Sequence, residues 1–243
     1  VKIDIKNFTK RFDGVTAVDN LSITLRGGKI TGLVGPNGSG KTTLVNLLSG
    51  FLPLDNGALT LVNGDIVKKI RPYKVMSYGI TRTFQDIRLF DQMTVLDNIL
   101  VVLTKRDLHC AMRECHRQEH LEKAEQVLTR TGLWEKRDEL AANLSYGQRK
   151  LLEISRAISM DARIYLFDEP FAGLFQGMVR TVMEILKELR DEGHIVVLIE
   201  HDMDLIRELA DYAFVLDSGK LLSEGMPNEV LKDKEVIEAY LGK

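Results

Sequence analysis

Cysteine is scarce in this sequence, with two in 243 residues, which excludes a disulfide scaffold. Neither sign of charge dominates. Lys and Arg number 33 against 35 Asp and Glu, for a formal net charge of −2, so nothing points to nucleic acid as a partner. Long apolar runs are missing as well. The longest stretch without a charge, Thr42 to Leu54, covers 13 residues, whereas a membrane-spanning helix needs about 20. The opening Val1-Lys2-Ile3-Asp4 has no apolar core of a secretion signal. What is present is an ordinary globular mixture, 44% hydrophobic and 28% charged. That excludes intrinsic disorder, and the length can bury a large core. The expectation at this level is a cytoplasmic α/β enzyme.

Periodicity divides the chain. Val1, Ile3 and Ile5 alternate with polar residues, as do Leu21, Ile23 and Leu25, and both runs predict strands. Ile30 to Val34 is a short apolar strand after a Gly27-Gly28 turn, and Leu44, Leu47 and Leu48 recur at helical spacing. Ala58 to Val62 predicts a strand ending at an Asn63-Gly64 turn. From Thr94 to about Arg130 the pattern is helical, with Leu121, Ala124, Glu125 and Leu128 on one face. Thr94 with Asp97 has the form of a capping box, with Asp in place of the usual Glu or Gln. A helix follows over Gln148 to Ile158, with Leu151, Ile154 and Ile158 on one side. Strand and helix then alternate: Ile164–Phe167, Met178–Leu189, Ile195–Ile199, Leu205–Ala210 and Phe214–Leu216. Such alternation implies a parallel sheet with helices on its faces. The organisation read from this is one domain over 1–243, with a helical insertion at about 88–160.

Chemistry enters at Gly35-Pro36-Asn37-Gly38-Ser39-Gly40-Lys41-Thr42, which fits the phosphate-loop pattern G-x-x-x-x-G-K-[ST] between an apolar strand and a leucine-rich helix. The glycines let backbone N–H groups turn toward a phosphate, and the helix N-terminus adds partial positive charge. Lys41 can reach the β- and γ-phosphates, and Thr42 can place its hydroxyl on Mg²⁺. A second landmark is the apolar strand Ile164 to Phe167 ending in Asp168 and Glu169. Asp168 suits coordination of Mg²⁺, and Glu169 could polarise a water against the γ-phosphate. Thr104-Lys105-Arg106-Asp107 matches a guanine-reading pattern. No D-x-x-G precedes it, because Leu47, Leu54, Leu61 and Met76 stand three residues before Gly50, Gly57, Gly64 and Gly79. The match is read as chance.

Leu144-Ser145-Tyr146-Gly147-Gln148 lies with its serine 23 residues before Asp168. Here the sequence resembles an ATP-binding cassette, the motor domain of ABC transporters, whose signature is usually LSGGQ; Tyr146 replaces the first glycine of that pair. Further elements follow the family order. Thr83-Phe84-Gln85 is similar to the Q-loop, His201 in Ile199-Glu200-His201-Asp202 to the switch histidine, and Phe12, 29 residues before Lys41, to the aromatic that stacks on adenine. The resemblance spans essentially the whole chain. It implies an α/β P-loop NTPase with a RecA-like parallel-sheet core, an N-terminal antiparallel β subdomain and an inserted helical subdomain. It also implies ATP and Mg²⁺ as ligands. Phe12, the loop Gly35 to Thr42 with Thr43, and Ser145, Gly147 and Gln148 would bind nucleotide. Thr42, Gln85 and Asp168 would hold the metal, and Glu169, His201 and Gln85 would serve catalysis. The implied partners are an identical or related cassette, paired head to tail in ATP, and integral membrane permease subunits, with no direct binding of nucleic acid. The implied location is peripheral, on the cytoplasmic face of the inner membrane. One departure stands out: after Phe171-Ala172-Gly173-Leu174 the family usually has Asp or Asn, and this chain has Phe175.

Within the family the chain is similar to the ATPase subunits of branched-chain amino acid uptake systems. The matching residues are Arg82-Thr83-Phe84-Gln85, Arg88-Leu89-Phe90, Met93-Thr94-Val95, Leu152-Glu153-Ile154, Ile199 to Met203 and Ala239-Tyr240-Leu241-Gly242. Cassettes for urea or amide uptake, lipopolysaccharide export or non-transport mechanical work are the alternatives. A last feature is unrelated to these motifs. His109, Cys110, Cys115, His116 and His120 place both cysteines and three of the five histidines within 12 residues. These are zinc donors by type, but Arg113, Glu114, Arg117 and Glu119 between them favour a solvated helical segment.

Overall fold

The structure, a computed structural model, describes residues 1–104 and 118–241. His109, Cys110, Cys115 and His116 of the zinc expectation lie outside the described residues, as do Lys105, Arg106 and Asp107 of the guanine-type match. Two compact units are formed. The first comprises Val1–Arg82, Arg163–Glu169 and Ile185–Lys243; the second comprises Thr83–Ala162 and Pro170–Glu184.

The first unit holds two sheets. Strands β1 (Lys2–Phe12), β2 (Val15–Arg26), β4 (Asn56–Thr60) and β5 (Ile66–Val67) form an antiparallel sheet in the order β2-β1-β4-β5. In β1 the buried apolar positions run Ile3, Ile5 and then Phe8. The register shift between Ile5 and Phe8, with Asn7 at φ 53°, is a bulge that inserts one residue and keeps Phe8 inside. Strand β4 ends two residues earlier than the alternation predicts, because the Leu61 N–H turns to bond Asp65 O at 2.8 Å.

The second sheet contains β3 (Lys29–Val34), β6 (Ile80–Arg82), β7 (Ile164–Asp168), β8 (Ile195–Ile199), β9 (Tyr212–Asp217) and β10 (Lys220–Gly225), in the order β10-β9-β3-β8-β7-β6. All neighbours are parallel except β9 and β10. Parallel strands are covered on both faces, which is why β7 and β8 are buried along their whole lengths. One face, through Leu33, Leu166, Val197 and Phe214, shares a core with Ile3, Ile5 and Leu21 of the first sheet and with Leu44 and Leu47 of helix α1 (Lys41–Leu48). Strands β3, β8 and β7 stop level with one another, since Leu33 and Asp168 both pair with Ile199. Three loops therefore leave the sheet together at its carboxyl edge, the position where open parallel sheets bind ligands.

The second unit is mainly helical: α2 (Val95–Leu103), α3 (Gln118–Arg130), α4 (Tyr146–Ser159) and the start of α5 (Gln176–Asp191), which continues into the first unit. Thr94 caps α2 by accepting the Asp97 N–H at 3.0 Å. The reciprocal half of the expected capping box is not made, because the Asp97 carboxylate accepts from the Thr94 hydroxyl at 2.7 Å instead of from backbone. On α3 Ala124 and Leu128 are buried, while Glu125 is exposed and drops out of the expected apolar face. The chain closes in the first unit with α6 (Met203–Leu209), α7 (Pro227–Val230) and α8 (Lys234–Leu241). Among the described residues no helix is long and apolar enough to cross a membrane.

Candidate functional site

The phosphate loop runs from the end of β3 into α1. Gly35 takes φ +147°, and a Cβ there would stand 2.1 Å from Leu216 O, so only glycine fits. Gly40 precedes α1 with no side chain capping the helix. The first intrahelical donor is Leu44, to Gly40 O at 2.8 Å. The N–H groups of Lys41, Thr42 and Thr43 therefore have no acceptor within the helix and are available to an anion. Thr42 is exposed. Lys41 is buried and turns back over the loop. Its Nζ donates to Gly35 O at 2.7 Å, to Pro36 O at 3.0 Å and to Ser39 Oγ at 3.5 Å. Burial holds this ammonium below its ordinary range, opposed by the negative charges of Glu169 and Asp168.

Asp168 ends β7 almost fully buried. Arg82 at the end of β6 donates to its Oδ2 at 3.2 Å, and also to Asn46 Oδ1 at 2.7 Å and Ser49 Oγ at 2.9 Å. One guanidinium thus ties the carboxylate to the helix that starts at Lys41. Glu169 follows at φ 49°, a left-handed conformation that costs a non-glycine residue on the order of 1–3 kcal/mol. Its N–H bonds Ile199 O at 3.0 Å, and its Oε1 lies 3.0 Å from His201 Nε2. His201 sits directly after β8. Asp202 then caps α6 through the N–H groups of Asp204 and Leu205, at 2.8 and 3.3 Å. Phe12 is 41% exposed at the tip of β1 rather than packed in the core, and the Lys10 ammonium lies 5.3 Å from its ring centre. The first unit therefore brings together Lys41, Asp168, Glu169 and His201.

The second unit carries Gln85, Ser145, Gly147 and Gln148. Gln85 is exposed, on a loop held from α4. The buried Lys150 donates to Phe84 O at 2.9 Å and to Gln85 O at 3.4 Å, while Glu153 Oε1 accepts the N–H groups of Phe84 and Arg88 at 3.2 and 3.3 Å. Burial raises the Glu153 carboxyl above its ordinary range, against the nearby Lys150 charge and these hydrogen bonds. Ser145 is the N-cap of α4 in a complete capping box: Gln148 N–H donates to its Oγ at 3.4 Å, and its own N–H donates to Gln148 Oε1 at 3.0 Å. The signature motif thus fixes its own helix start. Its Oγ acts there as an acceptor, leaving the hydroxyl proton to donate elsewhere. Tyr146 is half exposed and lies against Gly173, where a Cβ would come within 2.5 Å of its ring. Phe175 is 75% exposed. Sequence reasoning assigned no role to Arg82, Lys150 or Glu153, although Arg82 and Glu153 lie in matched segments.

The donor set fits Mg²⁺, which takes oxygen ligands and is held by one or two carboxylates together with substrate phosphates: a threonine hydroxyl at the loop and a carboxylate at the strand tip. Among the described residues no group of three or more His, Cys, Asp or Glu is arranged to hold a metal ion by itself.

The sequence model of the ABC transporter family matches residues 18–172. The probable branched-chain amino acid transport ATP-binding protein LivG of Archaeoglobus fulgidus is 36% identical over 245 residues, covering 99% of this chain and 95% of the relative. The high-affinity branched-chain amino acid transport ATP-binding protein LivG of Salmonella typhimurium is 36% identical over 248 residues, covering 98% and 97%. A crystal structure of the ADP conformation of an ATP-binding cassette of an ABC transporter superposes with a TM-score of 0.84 at 32% identity, over 99% of this chain and 98% of that one. With a phosphate loop, a carboxylate pair and a histidine gathered at one sheet edge and more than half the chain matched, this chain belongs to the ABC transporter family, as one of its ATP-binding cassettes.

Proposed function

We propose that this chain is the ATPase subunit that powers uptake of branched-chain amino acids through a separate permease, attached peripherally at the cytoplasmic face of the membrane. The observation that carries the hydrolytic part is the grouping of Lys41, Asp168, Glu169 and His201 at the tips of three level strands. The choice of solute rests on the full-length similarity to relatives named for branched-chain amino acid transport.

The chemistry follows from the groups present. Lys41 exchanges its carbonyl acceptors for phosphate oxygens, which bind an ammonium more strongly because they carry charge. The N–H groups at the start of α1 add a fixed field toward the same phosphates. Mg²⁺, held by Thr42 and Asp168, would neutralise charge on the phosphates. Arg82 holds Asp168 in place for that role. Glu169 orients the attacking water and accepts its proton as the oxygen bonds to the γ-phosphorus and the bridge to ADP breaks. His201 fixes the Glu169 carboxylate through its 3.0 Å contact. Phe12 offers an exposed ring to adenine. Gln85 is assigned to coupling toward the permease. Ser145 and the Gly147 N–H are assigned to the γ-phosphate of a nucleotide held by a partner cassette, identical or related. A chain without its partner then lacks half of each site and hydrolyses ATP slowly. Phe175 cannot supply the polar cross-contact expected at its position.

The test is reconstitution of the chain with its permease in vesicles. ATP-dependent leucine uptake that is lost in Lys41→Ala supports the reading. Robust ATP turnover with no stimulation or uptake for any branched-chain amino acid contradicts the solute assignment.

A further inference from the structure

Helix α8 returns to the phosphate loop. The Tyr240 hydroxyl accepts the Gly35 N–H at 2.7 Å, across 205 positions of sequence. Gly35 is buried and held at φ +147°. It has no side chain to fix it, so hydrogen bonds orient its peptide groups. Its C=O accepts the Lys41 ammonium, and its N–H goes to Tyr240. Removing the hydroxyl would leave a buried N–H without its acceptor. The same helix, through Val236, Ile237 and Tyr240, lines a hollow of about 200 Å³ together with Met203 and Arg207 of α6. Helix α6 begins two residues after His201.

We propose that Tyr240 is a positioning residue of the phosphate loop. Its hydroxyl anchors the Val34–Gly35 peptide through the Gly35 N–H, which pins the Gly35 backbone from which the next peptide offers its carbonyl to Lys41, and keeps the loop ready for phosphates. The inference rests on the reading of Gly35 to Thr42 as the phosphate site. Tyr240 touches no reacting atom, so its effect scales with the phosphates of the ligand and not with its base.

The experiment measures binding of ATP, ADP and adenosine to the full chain and to Tyr240→Phe, with Lys41→Ala alongside and thermal melting of each. In Tyr240→Phe, ATP and ADP bind about fivefold more weakly, the size of one net hydrogen bond. Adenosine binding is unchanged, KM for ATP rises in step with the dissociation constant, and kcat is kept. Parent-like ATP binding in Tyr240→Phe overturns the inference, as does an equal loss for adenosine. If Lys41→Ala binds ATP like the parent, the phosphate-site reading fails and the inference falls with it; loss in Lys41→Ala beside parent-like Tyr240→Phe defeats the inference alone. Should Tyr240→Phe melt many degrees lower, hydrogen exchange at the Gly35 amide of the unmodified chain decides. Strong protection supports the bond, and exchange at the rate of a free amide overturns it.

Discussion

His201 Nε2 lies 3.0 Å from Glu169 Oε1, and the Glu169 N–H bonds the last residue of the strand that leads to His201, Ile199 O at 3.0 Å. Glu169 is thus held at its backbone and at its side chain by one segment, which offsets the left-handed backbone there. Replacing His201 by Ala frees the carboxylate. Steady-state turnover is expected to fall by about 10²–10⁴-fold, the range for loss of acid–base organisation. ATP affinity falls by at most about tenfold, since one hydrogen bond is the most the nucleotide can lose. Equal losses in affinity and turnover would place His201 in binding alone.

Lys41 makes nucleotide binding a proton-linked event. Its folded value is depressed, chiefly by burial, below the ordinary lysine value of 10.5. Between the depressed value and 10.5 the unfolded chain binds more protons than the folded one, so this group's contribution to stability rises with pH across that window. Phosphates bring negative charge to the amine and raise its proton affinity. Calorimetric titration with ATP just below the ordinary lysine range, in two buffers of different ionisation enthalpy, is expected to show net proton uptake. Lys41→Met abolishes it. Buffer-independent heats in the parent contradict the assignment.

Gly173 and Tyr146 form a packing pair whose members come from two different motifs. Gly173 has φ +71°, and a Cβ there would approach the Tyr146 ring to 2.5 Å. Gly173→Ala is expected to destabilise the chain by about 1–3 kcal/mol, the usual cost of overpacking plus backbone strain. Tyr146→Gly, which restores the family's usual residue, should recover the steric part in the double variant but not the strain. Denaturant unfolding of the four chains gives the coupling. Additive losses would mean that the ring and the glycine do not meet.

Much of the fold and the central site could be read from the sequence because their signals are local. The phosphate loop, the Asp168-Glu169 pair and His201 each follow an apolar strand, and strand, turn and helix lie within a dozen residues. The supporting bonds carry no such signal. Arg82 reaches Asp168 across 86 positions, Glu153 reaches Phe84 across 69 and Tyr240 reaches Gly35 across 205; nothing in spacing or composition connects these pairs. Ser145-Tyr146-Gly147-Gln148 did carry a local signal, S-x-x-Q. That spacing is a capping-box signature, and the structure uses it as one beside any phosphate contact. The Thr94–Asp97 cap forms by half because the Asp97 carboxylate takes the threonine hydroxyl proton in place of backbone N–H. The inclusion of residues 170–184 in the helical unit was equally out of reach, since α5 reads as one continuous helix and its division depends on tertiary neighbours.

The central claim is that Glu169 drives hydrolysis within an ATP-bound pair of cassettes. The most direct measurement is of Glu169→Gln, by size-exclusion chromatography with light scattering in the presence of ATP and by turnover of the same sample. A stable dimer holding ATP is expected, with turnover lowered by at least about 100-fold. A Glu169→Gln chain that stays monomeric in ATP and hydrolyses it at the parent rate would contradict the claim.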